Sequence, residues 1–256
     1  MVNDVDSADG SASDPRTVRL RSNLARVRER IANACHRAGR SPDRVLLVGV
    51  TKYVSAADTV RLLDCGVADL GESRPQLLWE KAATIDDRKP NARWHLIGHL
   101  QRNKLRRTLP LVSLVHSLDS LRLARAINEE AAKLGTPCKA LIEVNLAGDA
   151  GRSGVSFDGL RELAEAAAAS EWIQLCGLMG MADKPDASDD TPRQQFARLR
   201  EARDALQGLF VERAGGSSGE PNGELSIGMS GDFEDAILEG ATIVRIGSVL
   251  WEGLDD

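Results

Sequence analysis

The chain has 256 residues, 42% hydrophobic and 28% charged, with a formal net charge of −5. That is enough to bury a sizeable core, and too ordinary a composition for a disordered, collagen-like or disulfide-dense protein. The mild acidity, with no Lys/Arg run longer than two, argues against a nucleic-acid partner, and no apolar run approaches the roughly 18 residues of a membrane span.

Residues 1–15 hold Asp4, Asp6, Asp9 and Asp14 among Ser, Ala and Gly, and are expected to form a disordered acidic tail. They lack the basic and apolar regions of a secretory signal, so a cytoplasmic location is expected. One domain is expected over 16–256. From Thr17 to Ala38, apolar residues at Leu20, Leu24, Val27, Ile31, Ala34 and Ala38 keep a helical period, and Gly39 stands where a C-terminal cap belongs.

After Ser41-Pro42-Asp43, short β-branched runs alternate with helical stretches. Strands are expected at 45–52, 69–72, 94–99, 111–116, 140–146, 175–181, 225–230 and 242–248, with seven helical segments between them. Thr191-Pro192-Arg193-Gln194 reads as a helix start, with a capping Thr, Pro at the first helical position and Gln three residues after the Thr. Residues 215–223 read as a solvent loop. The alternation implies parallel βαβ units. Eight strands favour a closed (β/α)8 TIM barrel over a doubly wound open sheet. Too little chain follows the last strand for a full helix, and the N-terminal helix can close the ring instead.

Functional groups of such barrels sit at the C-terminal ends of the strands. In Val48-Gly49-Val50-Thr51-Lys52, alternation puts Lys52 on the inward face with Val48 and Val50. A lysine leaving an apolar layer is placed for a lowered pKa and Schiff-base chemistry, or else for an ion pair with a carboxylate such as Glu72. Ser230-Gly231 after the seventh run and Gly247-Ser248 after the eighth supply hydroxyls and glycines suited to a phosphate cup, although Ser230 could equally cap a helix. Asp232, Glu234 and Asp235 would repel a phosphate aligned with the intervening helix. Arg245 shares a face with Ile243 and Gly247, pointing either to a ligand or to a carboxylate such as Glu143 or Glu72. Lysine, cup and arginine together suit the aldehyde, phosphate and ring nitrogen of pyridoxal 5′-phosphate (PLP).

The segments Leu46–Lys52, Leu70-Gly71-Glu72-Ser73, Trp94–Lys104, Val115–Asp119, Val144-Asn145-Leu146, Leu225–Ser230 and Val244–Ser248 resemble, in order, the pyridoxal phosphate homeostasis protein family. The resemblance implies a single barrel like the N-terminal domain of alanine racemase, binding PLP without established catalytic turnover. It implies Lys52 as the residue forming the internal aldimine, Arg245 facing the pyridine nitrogen, Ser230, Gly247 and Ser248 on the phosphate, and Met229 beside the ring. Ser73 stands where the family usually has Asn, shortening a polar contact to the ring, and Ser248 stands for the usual Thr. A monomer is expected, with apo-enzymes that use PLP as the recipients.

His95 and His99 are four apart, but they flank Gly98 at a strand end and no third ligand is evident, so no metal is expected. His95 reads as a core histidine or as an approach to the cofactor. Arg102, Lys104, Arg106 and Arg107 form either a solvated basic face or a dock for an anionic partner. Cys35, Cys65, Cys138 and Cys176 have no motif spacing and read as reduced packing residues.

The chief rival is a PLP-dependent amino-acid racemase, which needs a second acid/base on the opposite face of the cofactor. The one tyrosine, Tyr53, adjoins Lys52 with opposite strand parity, and the chain ends soon after the last strand. An arginine at the pyridine nitrogen also weakens the ring as an electron sink. A Schiff-base aldolase acting on sugar phosphates ranks lower, for want of an acid/base relay beside Lys52.

Overall fold

A computed structural model describes residues 14–85, 91–148, 151–183, 190–211 and 222–254. Eight parallel strands close into a barrel in sequence order. They are β1 (Leu46–Val50), β2 (Asp69–Glu72), β3 (Arg93–Leu96), β4 (Val112–Leu118), β5 (Cys138–Val144), β6 (Ile173–Gly180), β7 (Glu224–Ser226) and β8 (Ile243–Ile246). The ring closes where β1 pairs with β8 in the register Leu46↔Ile243 and Val48↔Arg245, so the open-sheet alternative falls.

The helices are α1 (Pro15–Arg37), α2 (Ala56–Asp64), α3 (Pro75–Ile85), α4 (Leu105–Thr108), α5 (Leu121–Leu134), α6 (Phe157–Ala168), α7 (Pro192–Ala205), α8 (Phe233–Leu238) and α9 (Ser248–Trp251). Helix α7 starts with the capping box read from the sequence, Thr191 and Gln194 each bonding the other's backbone. Helix α1 fills the gap in the outer ring. Leu20, Leu24, Val27 and Ile31 are buried on its inner face, and Asn23 Nδ2 donates to the carbonyls of Leu250 at 3.0 Å and Glu252 at 2.9 Å. Arg30 pairs with Glu234 of α8 at 3.2 Å and lies 4.5 Å over the Phe233 ring.

The expected tail boundary moves. Asp14 accepts from Arg16 N at 3.2 Å to cap α1 and pairs with Arg61 of α2 at 2.6 Å, while Pro15 takes the first helical position, where its missing N–H costs nothing. The rest of the expected tail, and most of the expected loop at 215–223, lie outside the described residues.

Several strands end earlier than alternation suggests. Strand β7 stops at Ser226 because Gly228 takes φ +92°, where a Cβ would stand 2.6 Å from Ala236 Cβ and 2.8 Å from Phe233 Cα. Strand β8 stops before Gly247, whose backbone turns to start α9.

Inside the barrel, Val48, Leu114, Leu141, Met179 and Ile243 form a compact apolar cluster. The same interior also buries Asp69, His95, His116, Ser226 and Arg245. The four cysteines are free, and burial raises the thiols of Cys138 to about 12 and Cys176 to about 11, so these two are unreactive packing groups.

Candidate cofactor site

The C-terminal mouth gathers the predicted residues from adjacent strands. Lys52 follows β1, with its neighbour Val50 tied to α9 through Trp251 Nε1, which donates to the Val50 carbonyl at 2.8 Å. The lysine is exposed rather than enclosed by the apolar layer, and its Nζ lies 4.8 Å from the centroid of the Tyr53 ring. It makes no ion pair with Glu72. That carboxylate instead takes the ammonium of Lys81 on α3 and the Thr51 hydroxyl at 2.8 Å. Lys81 Nζ also donates to the Thr51 carbonyl at 2.6 Å. The buried Glu72–Lys81 pair therefore braces the residue just before Lys52.

Arg245 is 3% exposed, and both predicted carboxylate partners are corrected. Its Nη1 donates to the Ser226 carbonyl at 2.7 Å and hydroxyl at 2.8 Å, and Nη2 donates to the Gly180 carbonyl at 3.1 Å. Among the described residues Nε has no protein acceptor. Burial pushes the guanidinium down to about 10, against the pull of Asp232 and Glu143, so it stays charged at neutral pH. Glu143 accepts from Ser153 Oγ at 2.5 Å, and burial raises its carboxyl above the usual value.

Ser230 Oγ accepts from the N–H groups of Gly247 at 3.2 Å and Val249 at 3.5 Å, joining the loops after β7 and β8. It is not a cap of α8, whose N-cap is Asp232. The acidic residues there face elsewhere: Asp232 accepts from Met229 N at 2.6 Å, and Glu234 is held by Arg30. Ser248 and Met229 are exposed beside this cup. Ser73 sits half-buried at the opposite edge, against Gly98, where a Cβ would fall 2.4 Å from the Ser73 carbonyl oxygen.

His95 and His99 diverge. His95 is buried, bonded to Asp69 at 3.0 Å and His116 at 2.9 Å, whereas His99 is exposed at the mouth, 3.5 Å from Asp119. In the basic segment, Lys104 and Arg107 lie over the Trp79 ring, 5.6 and 4.1 Å from its centroid. Alternation alone missed the partnership of Asp69, His116 and Ser226, although all three share the inward parity of their strands. Lys81 was also legible in principle, as a cation on the same face of α3 as Leu78, Ala82 and Ile85.

Asp69 gives a pH signature. Burial alone would raise its carboxyl, but bonds from His95 and Arg93 outweigh that and hold it below the usual value. Its stabilising contribution is therefore complete above the unfolded pKa of about 3.9 and is lost as pH falls through the lower folded value. The gap in thermal midpoint between wild type and Asp69→Asn should be constant above about pH 5 and close in stronger acid. A gap independent of pH would show that the charge contributes nothing.

The fold and mouth define a barrel of the alanine racemase type, and the family model for the alanine racemase N-terminal domain matches residues 19–254. The Aquifex aeolicus pyridoxal phosphate homeostasis protein is 39% identical over 228 residues, covering 89% of this chain and 95% of that one. Two solved structures also match. An unknown protein from Bifidobacterium adolescentis is 34% identical with a TM-score of 0.81, covering 93% of this chain and 96% of its own. PipY of Synechococcus elongatus, solved with PLP bound, is 30% identical with a TM-score of 0.74, covering 90% and 99%. The chain belongs to the pyridoxal phosphate homeostasis protein family.

Proposed function

We propose that this protein binds PLP reversibly through Lys52 and helps set the free pool of the cofactor, as a monomer in the cytoplasm. One observation carries the reading. An exposed amine, a cup of hydroxyls and N–H groups, and a buried guanidinium with an unclaimed Nε meet at one barrel mouth. These are the complements of an aldehyde, a phosphate and a ring nitrogen. The cup also has the room. Position 247 carries no side chain, and a Cβ there would press on Val50 Cβ at 3.3 Å.

PLP, when bound, supplies an aldehyde that condenses reversibly with an amine. The protein's own residues do the rest. Ser230, Gly247 and Ser248 would hold the phosphate at the loops after β7 and β8. Arg245 donates Nε to the ring nitrogen and, being charged itself, keeps that nitrogen unprotonated. This favours holding the cofactor over carbanion chemistry on it. Met229 would pack at the edge of the ring, and Ser73, shorter than the family's usual Asn, would need a water to reach its substituent. Release delivers the cofactor to apo-enzymes. The thiols suit a reducing compartment, and no described helix is long and apolar enough to cross a membrane.

The deciding experiment is borohydride reduction of the PLP-loaded protein followed by peptide mass mapping. A fixed adduct on Lys52 is expected. An adduct on another lysine, or none, overturns the assignment.

A further inference from the structure

A line of polar side chains crosses the barrel interior from its floor to Arg245. At the floor, Arg93 Nε donates to Asp69 Oδ1 at 2.8 Å, and His95 Nε2 lies 3.0 Å from the same oxygen. His95 Nδ1 is 2.9 Å from His116 Nε2, and His116 Nδ1 is 3.0 Å from Ser226 Oγ. Ser226 Oγ then receives Arg245 Nη1 at 2.8 Å. From Asp69 to Arg245 every member is at most 5% exposed. Polar groups buried beside Val48, Leu114, Leu141 and Met179 are costly unless each is bonded, so this line is satisfied only as a whole.

We infer that Ser226, His116 and His95 are positioning residues for Arg245, which orient its guanidinium so that Nε faces the mouth. Where this concerns the cofactor, it rests on the function proposed above.

The inferred line has one proton order, read from Asp69 upward. A carboxylate only accepts, so His95 Nε2 carries a proton toward Asp69. In the inferred order the His95 ring carries that one proton, so its Nδ1 is a lone pair that receives the Nε2–H of His116. Burial, the largest cause, holds His116 well below the ordinary histidine value, so it is neutral and its Nδ1 is also a lone pair. The Ser226 hydroxyl must therefore donate to His116, which turns its oxygen to Arg245. With the Ser226 hydroxyl and carbonyl saturating Nη1 and the Gly180 carbonyl taking one Nη2–H, the Nε–H and the second Nη2–H are left for a ligand.

Two measurements test this. In ligand-free protein labelled with nitrogen-15, imidazole correlation spectra should show His95 and His116 both as Nε2–H tautomers. Ser226→Ala should then move the His116 Nδ1 resonance to that of a lone pair lacking its donor. His116 as the Nδ1–H tautomer, or spectra unmoved by Ser226→Ala, overturns the inference. The wild-type spectra need no variant, so a folding failure of Ser226→Ala leaves that test standing. In the loaded protein, Ser226→Ala should bind PLP about tenfold more weakly with a displaced absorption band, and Ser226→Thr, which keeps the hydroxyl, should restore both. Unchanged affinity and band in Ser226→Ala also overturn the inference. Wild-type protein that binds no PLP overturns the proposed function instead, and the imidazole spectra then decide the proton order by themselves.

Discussion

Lys52→Ala removes the borohydride-fixed adduct completely while leaving the protein folded. The side chain is exposed and, among the described residues, lies against the ring of Tyr53, itself 82% exposed, so truncation leaves no cavity and no unpaired buried group. The thermal midpoint of the ligand-free protein should stay within about 1–2 °C of wild type. The cup and Arg245 are untouched, so PLP still enters, held by its phosphate and ring nitrogen. Without the covalent link its affinity should fall by at least about tenfold, the equivalent of about 1.4 kcal/mol. Equilibrium dialysis reads the affinity and the absorption spectrum reads the loss of the link. An unchanged spectrum would falsify the assignment of Lys52 as anchor. Added amines should accelerate release of PLP from wild type and leave its release from Lys52→Ala unaffected, which separates exchange at the amine from simple dissociation.

The eight strands were legible because the buried runs are short and apolar, most of them carrying Val or Ile, and because glycines and helix caps punctuate them. Inward parity carried Arg245 into the barrel, where Val48 and Ile243 also lie, whereas Lys52 falls past the end of β1 and is exposed. Parity could not supply partners. A search by charge gives Arg245 a carboxylate, whereas two backbone carbonyls and a hydroxyl satisfy it, and carbonyl acceptors are invisible in a list of side chains. The same search gives Glu72 to Lys52 or Arg245, when its partner comes from the helix that follows its own strand. Asp14 was assigned to a tail by composition, although one bond to Arg16 N and one ion pair to Arg61 make it the start of α1. In each case the missing information was tertiary. Residue type and period locate a side chain on an element, and only the packed barrel decides which polar atoms meet.

Lys81→Met should be the most damaging single change away from the mouth. Glu72 is fully buried, and one of its oxygens, Oε2, has no hydrogen-bond partner among the described residues. Removing the ammonium leaves that carboxylate with only the Thr51 hydroxyl, at 2.8 Å. Breaking one side of a buried pair in this way costs about 3–5 kcal/mol, and a chain of this size loses roughly 2–4 °C in thermal midpoint per kcal/mol, so a fall on the order of 10 °C is expected. Lys81→Met combined with Glu72→Leu removes the stranded charge together with its partner, and should recover most of that loss although it deletes more polar contacts. The pair also acts on the site. Lys81 holds the Thr51 carbonyl at 2.6 Å and Glu72 accepts from its hydroxyl, so Lys81→Met frees the backbone just before Lys52. Formation of the Lys52 adduct should slow in Lys81→Met even well below its melting temperature, and the stabilised double variant should remain slow. Recovery of stability without recovery of rate separates the brace on Lys52 from the general cost of a buried charge, whereas joint recovery of both would reduce Lys81 to a stabilising role alone.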